Sequence, residues 1–174
     1  GPPPNGFYSY DVGVWHIVVL NDNGPMTTNS AQVQWLRADL NGRRNQCVIA
    51  YWHRPRYSSG PAGPTTGTQP LWQALADSAA DIALWGHDHA YERFAPMDAG
   101  GNPSATGIRA FVVGTGGGES LVSGFPNVQP NSVVRDRTSR GVIRITLYDN
   151  RYRWEFIPAP GFGTFTDSGS GTCN

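Results

Sequence analysis

A short apolar run, Ile82-Ala83-Leu84-Trp85, ends on Gly86 and then delivers His87 and His89 with a single residue between them. This stretch constrains the chain more than any other. The apolar run reads as the end of a buried strand, and Gly86 lets the backbone turn where a Cβ would be unwelcome. The chain holds four histidines, so half of them sit in this one turn. Imidazole is the commonest metal ligand among side chains. In extended backbone, residues i and i+2 point the same way, which would aim both rings at one site. A third histidine, His53, follows a second strand-like run in Ala50-Tyr51-Trp52-His53-Arg54-Pro55. Three histidines at two strand ends predict a metal centre at the carboxyl edge of a sheet, where open α/β sheets bind ligands. His53, His87 and His89 are expected to converge. The plainer reading, turn histidines with ordinary hydrogen bonds, would win for an isolated pair, but the matching position of His53 favours metal. Asp88 should point away from its two neighbours, and nothing in the spacing of Asp11 or Asp22 marks them as ligands.

The rest of the chain reads as strands and helices in alternation. Residues 7–12 and 15–20 are strands, the second too continuously apolar for an exposed face, with His16 packed inside it. Asn29 or Ser30 can cap a helix to about Leu40, which Asn41-Gly42 ends. Cys47–Tyr51 is a buried strand, so a βαβ unit with parallel pairing is expected. Residues 57–67 are rich in Ser, Gly, Pro and Thr and form a rim or lid. Thr68 can cap a second helix whose apolar face is Leu71, Trp72, Leu75 and Ala79. Residues 108–113 are a strand, and the glycine run Gly114–Gly118 is a tight turn near the site, with a phosphate cradle as the lesser reading. Residues 119–138 show no period. Val142–Leu147 and Tyr152–Phe156 alternate around Asp149-Asn150 as an antiparallel hairpin. Residues 157–174 form a Gly/Ser-rich tail.

Composition narrows the function classes. Net charge is zero and charged residues are 15% of the chain, so no basic patch points to nucleic acid or an anionic membrane surface. No apolar run approaches the roughly 18–20 residues of a membrane span. The length of 174 residues suits one domain. Gly1-Pro2-Pro3-Pro4 resembles neither a secretory signal nor a native start, so the chain reads as a piece of something longer. Cys47 and Cys173 lack any metal-type CxxC neighbour. They are either two buried thiols or a disulfide, and the Gly/Ser-rich surroundings of Cys173, unable to bury a thiol alone, favour the disulfide. A disulfide implies an oxidising compartment.

Gly86-His87-Asp88-His89, followed by Ala90-Tyr91-Glu92-Arg93, resembles the last metal motif of the calcineurin-like metallophosphoesterases, above all the secreted purple-acid-phosphatase-type enzymes. Tyr51-Trp52-His53-Arg54-Pro55 resembles their preceding single-histidine motif. Residues 7–20, 111–117 and 165–173 are similar to bacterial members. The resemblance implies an α/β fold, part of a four-layer α/β/β/α sandwich with mixed sheets. It implies a phosphomonoesterase, acid-phosphatase-like, in which two divalent or trivalent ions (Fe, Zn or Mn) and a metal-bound hydroxide hydrolyse a phosphate ester. By that likeness His53 and His87 would hold one metal and His89 the other. Arg54 stands where some members carry a second histidine, and it is either a phosphate-oxygen contact or a surface arginine. The family's D-x-H, G-D-x-x-Y and G-N-H-[DE] motifs do not occur here. Residues 1–174 therefore correspond to the carboxyl-terminal half of the domain. At most one ion is expected on this chain alone, and the expected partners are a phosphate ester and the missing amino-terminal half. The competing reading is a non-catalytic, truncated metal-binding or structural module. The resemblance also implies secretion.

Overall fold

The computed structural model describes residues 6–42, 47–118 and 120–174. The Gly1–Pro4 start lies outside the described residues. Along the chain run β1 (Tyr8–Val12), β2 (Trp15–Val19), α1 (Ala31–Asn41), β3 (Cys47–Tyr51), α2 (Gln69–Asp77), β4 (Ile82–Trp85), β5 (Tyr91–Phe94), β6 (Arg109–Val113), β7 (Ser132–Asp136), β8 (Gly141–Leu147), β9 (Arg151–Pro158) and β10 (Ser168–Thr172). Strands β2, β3, β4 and β6 are nearly unbroken apolar runs, which are stable only with both faces covered. They pair in parallel, in the register Ile17↔Ile49↔Ile82↔Arg109. Antiparallel β1, β5 and β7 complete a seven-stranded mixed sheet, ordered β1-β2-β3-β4-β6-β5-β7.

Alternation along each strand sends residues to two different cores. Val18, Val48 and Ala83 pack with Leu36, Leu40, Leu71, Trp72 and Leu75 of the two helices. Ile17, Ile49, Ile82 and Phe111 pack instead with Tyr152, Trp154 and Phe156 of β9. Burying one such aromatic or aliphatic side chain stabilises by roughly 1.5–3 kcal/mol. The second face is closed by a separate antiparallel sheet, ordered β10-β9-β8. Helices, mixed sheet and small sheet thus form three stacked layers. The expected α/β architecture with two sheets is present, as three layers among the described residues.

The helices follow their local signals. Ser30 caps α1 by accepting from the Val33 N–H, and Gly42 ends it. Thr68 stands at the start of α2 without capping it, because its hydroxyl donates to the Thr65 carbonyl at 2.8 Å. Ala79 is exposed, not part of the apolar face. The helix stops at Asp77, and Ala79 takes a left-handed conformation (φ 54°), so Ala74 and Ala80 are the buried alanines of residues 69–80.

The Gly/Ser-rich tail holds a strand with no sequence signal of its own. In β10, Gly169 lies opposite Trp154 and Gly171 opposite Tyr152. A Cβ at Gly169 would come within 2.3 Å of the Trp154 ring, and one at Gly171 within 2.5 Å of Tyr152. The aromatic rings occupy the space that side chains would need. Beyond the strand, Cys173 is disulfide-bonded to Cys47, 126 residues earlier, with Cα atoms 5.4 Å apart.

Candidate metal centre

The parallel strands release their loops on one edge, and the loops after β3 and β4 are bonded to each other there. Gly86 N–H donates to the His53 carbonyl at 3.0 Å, and Trp52 N–H to the Leu84 carbonyl at 3.2 Å. This sets His53 Nε2 3.1 Å from His87 Nδ1, with the two rings edge to face. Ligands of one tetrahedral zinc, each about 2.0–2.1 Å from the ion, stand roughly 3.3 Å apart. The observed spacing therefore fits two imidazoles on one ion, and both rings are exposed to receive it.

His89 is placed differently. His87 has φ 63°, a left-handed conformation that breaks the extended alternation, so the i and i+2 rings do not share one face. His89 Nδ1 lies 2.9 Å from the Ser120 carbonyl. Donation to that oxygen fixes the tautomer and leaves Nε2 as the free ligand atom, an arrangement typical of metal-binding histidine. Gly118 stands over the ring, and a Cβ there would lie 2.6 Å from His89 Nε2. The glycine run thus borders the site by leaving room for His89. The structure brings His53 and His87 together but does not bring all three histidines within 4.8 Å of one another. Among the described residues, the group that meets that test is Cys47, Asp81 and Cys173. There the sulfurs are bonded to each other and cannot ligate.

Arg54 sits on the rim, half-buried, with its backbone N–H on Asp22 Oδ2 at 2.5 Å and its guanidinium 3.4 Å from the Asp22 carbonyl. Beside His53 runs an open trough of about 480 Å³, lined by Tyr51, Leu84, Gly86, Val113, Val142 and Ile143 among others. Larger hollows of about 680 Å³ and 690 Å³ lie on the outer face of the small sheet and beside α1. Neither reaches a histidine, so donor chemistry rather than size selects the trough.

The strand after the histidine turn locks both sides of the sheet. Tyr91 and Arg93 point to the small sheet and hold Asp167, at 2.7 Å from Tyr91 OH and 2.7 and 3.1 Å from two Arg93 nitrogens. Burial pushes the Tyr91 hydroxyl upward, and its bond to Asp167 adds to that. Burial would also raise Asp167, but the bonds from Arg93 and Tyr91 prevail and hold it below the ordinary carboxylate range. Glu92 points to the other side. It accepts from Ser59 N–H at 2.8 Å and from the hydroxyls of Ser59 and Ser132, while burial raises its pKa. Asp88 is likewise turned from the histidines, accepting from the Ser58 hydroxyl and the Ala62 N–H. Apart from Trp154, 13 residues before Asp167, the partners of these carboxylates are 26 to 76 residues away in sequence, so local pattern could not reveal them.

No protein-family model matches the chain. Its sequence is 31% identical over 161 residues to purple acid phosphatase 21 of Arabidopsis thaliana, covering 87% of this chain and 36% of the relative. It is 29% identical over 143 residues to purple acid phosphatase 18 of the same plant, covering 78% and 33%. The chain therefore spans about a third of the length of these relatives. Its fold is similar to that of the purple acid phosphatase PPD1 from yellow lupin (Lupinus luteus) seeds, with TM-score 0.81 and 24% identity, covering 95% of this chain and 32% of that one. The sequence relationship supports a place in the metallophosphoesterase family, and the fold matches that of the carboxyl-terminal domain.

Proposed function

We propose that the chain is the carboxyl-terminal half of the metallophosphoesterase domain of a purple-acid-phosphatase-type enzyme, a phosphomonoesterase that works with two metal ions. The observation that carries this reading is the His53–His87 pair, 3.1 Å apart, with His89 fixed by Ser120 in the same turn. His53 and His87 would hold one ion and His89 Nε2 the other; Fe, Zn or Mn all suit such donors. When bound, the ions would supply Lewis-acid activation of water and offset charge on the attacking and leaving oxygens. Arg54 would bind a phosphate oxygen, giving up only its long 3.4 Å bond to do so. The trough would receive the ester.

Carboxylates that bridge two ions would come from the amino-terminal half, which we propose as the partner. Two observations support this. The chain spans 36% of the first relative's length. The inward residues of β8 (Ile143, Ile145 and Leu147) are only half-buried, although their cross-strand partners Phe156, Trp154 and Tyr152 are fully buried. Val142 beside them is 56% exposed. An added layer would cover this edge. The disulfide supports an oxidising, secreted setting, which we propose together with a bacterial source.

Release of phosphate from an aryl phosphate, with added divalent metal, tests the reading. The complete enzyme is expected to turn over and residues 1–174 alone to show little or none. Adding a fragment with the three missing motifs should restore turnover, and His87→Ala should abolish it again. Turnover of the complete enzyme that survives His87→Ala, or strong His87-dependent turnover by the isolated chain, would contradict it.

A further inference from the structure

Asp88 separates the two histidines of the turn, yet it is only 4% exposed and its carboxylate faces the loop that follows His53. One oxygen accepts from the Ser58 hydroxyl and the other from the Ala62 N–H at 3.1 Å. Gly60 makes the approach possible, because a Cβ there would lie 2.4 Å from Asp88 Cγ. On its other side, a Cβ at Gly114 would come within 2.0 Å of the Asp88 carbonyl. That carbonyl also accepts the Ala90 N–H at 2.8 Å. The loops after β3, β4 and β6 therefore meet on this one residue. Four positions on, Glu92 takes both the N–H and the hydroxyl of Ser59, and the Ser59 oxygen in turn accepts the Gln129 N–H at 2.9 Å. Two consecutive serines are thus held by two buried carboxylates. A buried carboxylate without partners is costly, so each keeps its loop in place.

We infer that Asp88 is the positioning residue of the histidine turn, and that with Glu92 it holds Ser58–Ala62 as a fixed wall of the site rather than a lid. Only its bearing on metal chemistry rests on the proposed function; the fixing of turn and loop does not. Trypsin reads the wall directly. Arg54 precedes a proline, which leaves Arg56-Tyr57, just before Ser58, as the cleavable bond next to this segment. Losing the two hydrogen bonds that Asp88 accepts should make cleavage roughly tenfold to a hundredfold faster in Asp88→Ala. Asp88→Asn, which keeps one acceptor, should fall between. Ring 15N–1H spectra of the metal-free chain read the positioning. In the native chain His89 should show one tautomer protonated at Nδ1, and in Asp88→Ala the His87 and His89 signals should shift or average. His16, held between Asp11 and Asp39 at 2.7 Å on each side, should stay unchanged and reports an intact fold. Should Asp88→Ala lose the His16 signals, Ser58→Ala decides the matter by the same two readings. Unchanged cleavage would overturn the wall, and unchanged His87 and His89 spectra would overturn the positioning role. A native chain that binds no zinc would overturn the proposed function while leaving both readings valid.

Discussion

At the scale of residues, two aspartates, one buried and one half-buried, pull stability in opposite directions with pH. Asp81 accepts the N–H groups of Val48 and Asn174, each at 2.7 Å, and these residues directly follow the two half-cystines. Burial still raises its pKa from 3.8 to about 6. A raised folded value means its contribution is full below about pH 4 and is lost as pH rises through about 6. A rise of that size corresponds to about 3 kcal/mol. Urea unfolding between pH 4 and 7 should show this loss in the native chain and not in Asp81→Asn; equal pH slopes would count against it. Asp167, held low, has the opposite sign, and its contribution disappears as pH falls below 3.8. Neither aspartate's role was legible in the sequence, since Asp81 bonds across 33 and 93 residues and Asp167 across 74 and 76, with Trp154 13 residues away as its one nearer side-chain partner. The histidines could be picked out because they are rare and sit directly after apolar runs. Their spacing predicted one shared site, and only the family resemblance divided them into a pair and a third, because the left-handed turn at His87 has no glycine to announce it.

At the scale of elements, the strands with dense β-branched or aromatic patterns were readable and the others were not. β8 and β9 show their alternation openly, and Ile145 faces Trp154 as that pattern implies. β7 lies in a stretch without period, and β5 is hidden within a motif of polar residues. β10 reads as a flexible tail because its inward positions are glycines, chosen by the rings of Trp154 and Tyr152 rather than by strand propensity. Its attachment thus rests on ladder bonds, the Asp81 bond and the disulfide. Closing a 126-residue loop stabilises by about 4–5 kcal/mol in the chain-entropy model. Cys173→Ser should lower the unfolding free energy by about that amount and speed hydrogen exchange first in residues 168–172. A variant as stable as the native chain would show that the other bonds hold β10 alone.

At the scale of the molecule, a seven-stranded sheet gathers three strand-end loops on one edge, and each brings part of the site: His53, the His87–His89 turn, and the glycines that leave room for His89. The same edge borders the half-covered residues of β8, so the candidate site and the uncovered apolar surface are neighbours. This juxtaposition was legible only in part, because sequence places loops at strand ends but does not order the strands across the sheet. His53, His87 and His89 are proposed as the histidine side of a metal centre. Zinc titration of the metal-free 174-residue chain, read as bound ions per chain, tests that proposal most directly. One ion per chain is expected, with binding lost in His53→Ala and in His87→Ala while His16 and the fold remain intact. No bound zinc, or one ion retained in both variants, would contradict the account.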